Sequence, residues 1–309
     1  MPRITNRETV DSLIESIRAS FSGTLAFSAK NLSTGEEIVL NGDEVLPTAS
    51  TIKLAVLAEL YRQSRDEGLD LSERLAMQQS DIVGGSGVLK ELGPGLQPAL
   101  YDLAMLMVIV SDNTATNMLI DRVGGVERVN QTMRDYGLAT LVLHNRVDFA
   151  VIGSDVRRFA ESSATDLMRF NELLLQGKLV DARASKAMID IMKQQQYLDQ
   201  VPRYFNLRPG ARELKPDQQI WVGCKTGFFG GTRVDAGVIF LPEDVRIAYC
   251  AMAHGSHDLS IVAESEPGVT NGRLGRVMLE YWWPGDWNPA EAAVPSLYYD
   301  ALVNGQTTP

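Results

Sequence analysis

The chain predicts an α/β (α+β) fold: a five-stranded antiparallel sheet flanked by helices, with an all-helical domain inserted into it. Three observations carry this expectation. Two strand patterns lie near the N-terminus, three more follow Gln219, and the stretch between Ser50 and about Gln200 has helical periodicity almost throughout. Strands separated by so long a helical stretch must build one sheet from both ends of the chain. The expected division is residues 1–47 with 205–309 as the sheet domain and 48–204 as the helical domain, with a site in the cleft between them.

The elements follow in order. Val10, Leu13, Ile14, Ile17 and Phe21 recur at helical spacing before Gly23, which predicts an amphipathic helix over 8–21. Thr24 to Ala29 and Glu37 to Leu40 read as a hairpin closed by the turn Asn31-Leu32-Ser33-Thr34-Gly35. Pro47-Thr48-Ala49 precedes Ser50, and an apolar stripe through Leu54, Leu57, Ala58 and Tyr61 begins at Ile52, so Ser50 falls in the first turn of a buried helix. Helices are expected over 100–110, 115–123 and 165–175. Strands are expected over 220–226, 234–241 and 245–253, turning at Gly230-Gly231 and at Pro242-Glu243-Asp244. A last helix over 272–283 stops at Pro284, and the tail beyond reads as loosely attached, with the Trp282-Trp283 and Tyr298-Tyr299 pairs as packing residues.

Composition limits what the chain can do. With 29 Lys and Arg against 39 Asp and Glu, the net charge is -10, which repels nucleic-acid phosphates and anionic lipid surfaces. Neither nucleic acid nor a membrane is an expected partner. The apolar run Leu103 to Val110 is about half of the roughly 20 residues that a membrane span requires. Met1 to Ser20 alternates charged and apolar residues, unlike an export leader, so the chain as given is expected in the cytoplasm, or in the periplasm or outside the cell if a leader was removed. Cys224 and Cys250 lack metal-ligand spacing and read as free core thiols. A monomer acting on a small molecule is expected, with no cofactor and no metal.

Three strings carry chemistry: Ser50-Thr51-Ile52-Lys53, Ser111-Asp112-Asn113 and Lys225-Thr226-Gly227. At the start of a helix the unpaired N–H groups favour developing negative charge, and Lys53, on the same face, reaches the Ser50 hydroxyl. A lysine buried beside a second cation, Lys225, is biased towards the neutral form that accepts a proton. Ser111 occupies a helix-to-helix link and can pass a proton to a leaving nitrogen, Asn113 can hold substrate and Lys53, and Asp112 caps the next helix. Gly227 ends a strand and lets a substrate lie along it. Phe228 N–H and Ser50 N–H form an oxyanion site, and Thr226 and Arg233 can bind a carboxylate.

These strings, in this order and context, resemble those of class A β-lactamases and related penicillin-recognising serine hydrolases, and the likeness extends over about residues 9–283. The resemblance implies the β-lactamase/transpeptidase-like fold. It also implies acylation at Ser50 with help from Lys53, a proton shuttle through Ser111, and recognition of a carboxylate by Lys225, Thr226 and Arg233. The substrate implied is a β-lactam; a small ester or amide, or a lactam held without release, are the alternatives. One departure stands out. The family's Glu-x-x-Leu-Asn segment, whose glutamate activates the deacylating water, is missing, and Asp148 in Arg146-Val147-Asp148 is the nearest substitute. A side chain one methylene shorter holds a water farther from Ser50.

Two other strings read as bland. His254-Gly255-Ser256-His257 is a solvated turn, and Gly84-Gly85-Ser86-Gly87 a mobile segment at the cleft rim. A Ser-His-Asp site is not expected, because no Gly-x-Ser-x-Gly elbow exists.

Overall fold

The computed structural model describes residues 4–205, 207 and 219–283. Helix α1 (Arg7–Ser20) leads into strands β1 (Thr24–Asn31) and β2 (Glu37–Leu40), and the chain returns much later as β6 (Trp221–Phe229), β7 (Thr232–Phe240) and β8 (Arg246–His254). The five strands form one antiparallel sheet in the order β2-β1-β8-β7-β6, so the N-terminal hairpin is joined to the C-terminal strands through β1 and β8. This is the five-stranded antiparallel sheet the sequence predicts.

Both faces of the sheet are buried. Cys224, Ile239, Tyr249 and Ala251 pack with α1 and the final helix α9 (Glu266–Trp282), while Val234, Ala236, Cys250 and Met252 face a larger core built with the inserted helices. Neither face of β7 or β8 meets water between the strand ends, so β8 reads as an almost unbroken apolar run, while β7 buries Thr232, Arg233 and Asp235 among its apolar residues. Cys224 and Cys250 are buried free thiols, and burial pushes both well above the usual thiol range.

The insert supplies α2 (Lys53–Asp66), α3 (Leu100–Ile109), α4 (Asn113–Arg122), α5 (Val126–Asp135), the single turn α6 (Phe149–Ile152), α7 (Ala164–Leu175) and α8 (Ala182–Met192). It is not purely helical. The short strands β3 (Val45–Pro47), β4 (Val142–Leu143) and β5 (Ala160–Ser163) form a second sheet in the order β3-β5-β4, fixing the segment just before Ser50. These strands are two to four residues long and pair with partners far along the chain, so neither a period nor a hairpin turn marks them in the sequence.

Two boundaries differ from expectation. Strand β6 runs on to Phe229, so Lys225-Thr226-Gly227 lies inside it, with Gly227 opposite Val234 and Phe228 opposite Arg233. Helix α9 begins at Glu266, six residues before Gly272. Its glycines mask it. A Cβ at Gly275 would lie 2.3 Å from the Val201 carbonyl oxygen, so this helix needs a missing side chain to pack on the turn at 201–204. Trp282 donates to Glu36 at 3.0 Å; Pro284 and the Tyr298-Tyr299 pair lie outside the described residues. Among the described residues no helix is long and apolar enough to cross a membrane.

Helix α2, which carries the chemistry at its start, is anchored through Glu59. This carboxylate is fully buried and accepts from Arg62 Nε at 2.7 Å, Gln63 Nε2 at 2.6 Å and Thr132 Oγ1 of α5 at 2.5 Å. Glu59→Ala would strand these donors, although the arginine can still reach solvent. It is expected to lower unfolding free energy by about 2 kcal/mol, with Thr132→Val costing about 1, both read from urea titration midpoints.

Candidate active site

Ser50 lies in a 3-10 turn, Ala49–Ile52, that runs directly into α2 rather than in the first turn of the α-helix itself. The residue before it, Ala49, sits at φ +44°, a conformation that costs a residue with a Cβ and that persists only where its surroundings enforce it. Ser50 is half-buried at the cavity wall, and Lys53 is fully buried one turn on.

Lys53 Nζ donates to Ser111 O at 2.7 Å, Ser111 Oγ at 3.1 Å and Asn113 Oδ1 at 2.8 Å. An ammonium has three N–H groups, and these are three acceptors. Of the three, only the Ser111 hydroxyl can give a proton back, so it is the natural donor to Lys53 once the amine is neutral. Burial pushes the Lys53 pKa well below its ordinary value, the charge on Lys225 pushes it further, and Asp112 opposes both. Ser111 takes φ +56° between α3 and α4, which turns both its carbonyl and its hydroxyl towards Lys53. Asp112 caps α4 by accepting from Ala115 N at 2.9 Å, while its other oxygen accepts from Val88 N and Leu89 N.

The opposite wall is β6. A Cβ at Gly227 would stand 2.5 Å from Thr48 O and 3.0 Å from Ser50 N, so only glycine lets the strand lie against the serine's own peptide. Lys225 is fully buried and donates to Thr226 O at 2.6 Å; burial pulls its pKa down to about 7 against the raising influence of Cys224 and Asp235. The Thr226 hydroxyl is buried with no hydrogen-bond partner among the described residues, an arrangement that a bound ligand would relieve. Arg233, on β7, is 4% exposed and already donates to Phe229 O, Thr232 O and Ser260 O, with the Phe228 ring 5.7 Å away. Its charge is near the site, but much of its fork is committed to backbone.

A cavity of about 460 Å³ opens at Ser50, Asn113 and Phe228. Asp148 does not line it. Its carboxylate is exposed and caps α6 by accepting from Ala150 N at 2.9 Å, and Arg146 pairs with Asp121 at 3.1 Å rather than with Asp148. The expectation that Asp148 acts at Ser50 therefore meets a side chain turned away from it. The cavity wall is formed instead by its neighbour Val147, whose backbone is clamped on both sides by Asn117: Nδ2 donates to Val147 O at 2.9 Å and Oδ1 accepts from Val147 N at 2.8 Å.

The glycine string at 84–87 is tied down rather than loose. Asn113 Nδ2 donates to Gly84 O at 2.9 Å, Asn113 N donates to Ser86 O at 3.1 Å, and Gly87 presses against Asp112. Gly85 and Ser86 do line the cavity. His254 closes β8 and shares a hydrogen bond with Thr232 Oγ1 at 2.9 Å, so it is a strand-end residue rather than a free turn.

Sequence reasoning missed Asn117 and Gln195. Gln195 is buried and donates to Val108 O and Cys224 O, both at 3.1 Å, joining the end of α3 to β6 just before Lys225. Asn117 has no local signal beyond being a polar residue ahead of the apolar run Met118-Leu119-Ile120, and Gln195 is one of three consecutive glutamines with nothing to single it out.

A profile of the β-lactamase enzyme family matches residues 7–282. β-Lactamase BRO-1 of Moraxella catarrhalis is 32% identical over 112 residues, which are 36% of this chain and 36% of that enzyme. β-Lactamase Toho-1 of Escherichia coli is 28% identical over 135 residues, 44% of this chain and 46% of that enzyme. The chain thus spans less than half the length of these curated relatives. A β-lactamase from Sphaerobacter thermophilus has a TM-score of 0.77 at 26% identity, covering 89% of this chain and 96% of that one. PBP-A has a TM-score of 0.74 at 26% identity, covering 90% and 97%, and a variant of PBP-A was solved as an acyl-enzyme complex with penicillin G.

Two outcomes follow from this geometry. Gly227→Ala is expected to slow reaction at Ser50 about 100-fold, because a methyl group facing the Thr48 carbonyl forces β6 off the serine; rates of active-site labelling check this. The two lysines set opposite pH trends. A lysine is cationic below its pKa, so Lys225, near 7, holds an anionic ligand best below that pH and loses it as pH rises. Proton acceptance by Lys53 needs the neutral amine and improves as pH rises. The half-saturating concentration of a carboxylate-bearing substrate should therefore climb above about pH 7, while that of an uncharged ester stays level.

Proposed function

Because the chain belongs to the β-lactamase enzyme family, we propose that it is a serine hydrolase that opens β-lactam amides through an acyl-enzyme on Ser50. The observation that carries this reading is the buried Lys53, held by Ser111 and Asn113 one turn from a serine that faces an open cavity. Neutral Lys53 takes the proton from Ser50 as its oxygen attacks the lactam carbonyl. The oxyanion then lies between the N–H groups of Ser50 and Phe228. As the C–N bond breaks, the proton passes from Lys53 through the Ser111 hydroxyl to the departing nitrogen. The substrate carboxylate is met by Lys225 and the unpartnered Thr226 hydroxyl, with Arg233 adding charge behind them. Residues 1–47 with 205–309 and residues 48–204 act in this proposal as the two walls of the site.

The second half of the cycle favours slow release. No carboxylate among the described residues lines the cavity, Val147 forms the wall where the loop passes Ser50, and Asp148 faces solvent. With no carboxylate on the cavity wall, water that reaches the ester has only the buried amines of Lys53 and Lys225 to take its proton, so the adduct decays more slowly than it forms.

Intact-mass measurement tests this directly. Mixing with penicillin should add one penicillin mass to the protein, an adduct that decays slowly and is absent in Ser50→Ala. Asp148→Asn keeps the helix cap and should leave the decay rate unchanged within about twofold. No adduct together with unconsumed penicillin on the native chain would end the proposal; penicillin consumed without a lasting adduct would overturn slow release, and a stable adduct only in the Asp148 variant would return the deacylating role to that residue.

A further inference from the structure

A second cavity, of about 570 Å³, lies along the later turns of α2 and shares no lining residue with the cavity at Ser50. Tyr61, Ser64 and Arg65 of α2 face it, Tyr101 comes from the start of α3, and Asp181 and Arg183 come from the start of α8. Its apolar part is Leu71, Ala184 and Ala187. Ser64 follows Lys53 on one straight helix by about 16 Å at 1.5 Å per residue, so nothing bound here touches the reacting atoms.

The polar groups of this cavity are unevenly employed. Asp181 caps α8 by accepting from Ala184 N at 2.7 Å. Arg65 is engaged by both oxygens of Asp66 and by the Val180 carbonyl. The Arg183 guanidinium and the hydroxyls of Tyr61, Ser64 and Tyr101 have no hydrogen-bond or ion-pair partner among the described residues. Tyr61 is the telling one, because it is only 7% exposed and a tyrosine so buried normally finds a partner for its O–H. Burial, with Tyr101 and Asp190 adding to it, pushes its pKa up to about 12, which keeps the hydroxyl a neutral donor at ordinary pH. Every unemployed group can donate, and the one charged group without a partner is a guanidinium, in a chain that is otherwise acidic. A carboxylate offers acceptors to the Arg183 fork and to the Ser64 and Tyr61 hydroxyls together. A bare inorganic anion would leave Leu71, Ala184, Ala187 and the tyrosine rings wet in a cavity with room for more. We propose that this cavity is a second binding site, independent of the reaction at Ser50, that takes a small carboxylate carried on a flat apolar body of arene size.

Titration with 4-fluorobenzoate, followed by its fluorine resonance, tests this on the full chain. Saturable binding is expected. The uncharged 4-fluorobenzamide, of the same shape, should bind at least about fivefold more weakly, and 4-fluorobenzylamine, which reverses the charge, more weakly still. Arg183→Gln alters an exposed side chain and should weaken the benzoate at least about fivefold, while Tyr61→Phe, which removes only the hydroxyl, should weaken it about threefold. Thr226→Val reports on the other cavity and should leave the constant within about twofold. Binding that survives Arg183→Gln but falls in Thr226→Val places the anion at Ser50 and overturns the proposal. Equal constants for acid and amide, a preference for the amine, an unchanged constant in Arg183→Gln, or no saturable binding at all would overturn it as well. None of these results bears on the labelling of Ser50, so the acyl-enzyme proposal stands or falls separately.

Discussion

The site depends on the burial of one amine. Lys53 has no contact with bulk water, and a dehydrated ammonium is tolerable only if every N–H finds an acceptor. Three acceptors from the α3–α4 link meet that requirement, and much of the surrounding structure follows from supplying them. Ser111 must adopt a left-handed conformation to turn both oxygens inward. Asp112 must then hold that bend by capping α4 and by gripping the backbone at Val88 and Leu89. The glycines before Val88 let this loop come close enough for Asn113 to bond it as well. Even so the desolvation is incompletely offset, and the residual cost biases Lys53 towards the neutral amine, the form that can accept a proton.

The second buried amine comes from the other side of the molecule, and its placement is a problem of alignment. Lys225 is delivered by the edge strand β6, and nothing in the strand itself determines how close that edge comes to α3. Gln195 supplies the link by donating to one carbonyl on each, while its own oxygen accepts from Gln196 N and Tyr197 N. All four bonding positions of the amide are used, as suits a group buried at a junction. Gly227 then brings the strand against the serine's peptide. Two unrelated devices, a saturated amide and an absent side chain, thus set the same separation.

Much of this was legible beforehand, and what was not has identifiable causes. The three strings could be read because nucleophile, base and anion-binding groups must be particular residue types at particular spacings. Four of the five strands could be read because they run for eight or nine residues, and the short β2 because an Asn/Gly turn ties it to β1 as a hairpin. Helix α9 was partly hidden because Gly268, Gly272 and Gly275 lower helical propensity, and at Gly272 and Gly275 the demand for a missing side chain comes from residues 200–203, more than sixty positions earlier. Asp148 was a natural choice by chemistry, and its orientation is decided by capping a four-residue helix. Asn117 and Gln195 bond to backbone, and a backbone partner leaves no imprint on the sequence.

The grip of Asn117 on Val147 has a further consequence. Because both bonds run to the peptide, the course of that loop is set by Asn117 rather than by the side chain at position 147. The side chain itself answers to other neighbours, since Val147 is 5% exposed and belongs to the larger core. An acid introduced there would be partly dehydrated and correspondingly more basic, and the same dehydration would cost folding energy. The lifetime of the covalent state and the stability of the protein thus meet at one residue, and retuning the first draws on the second.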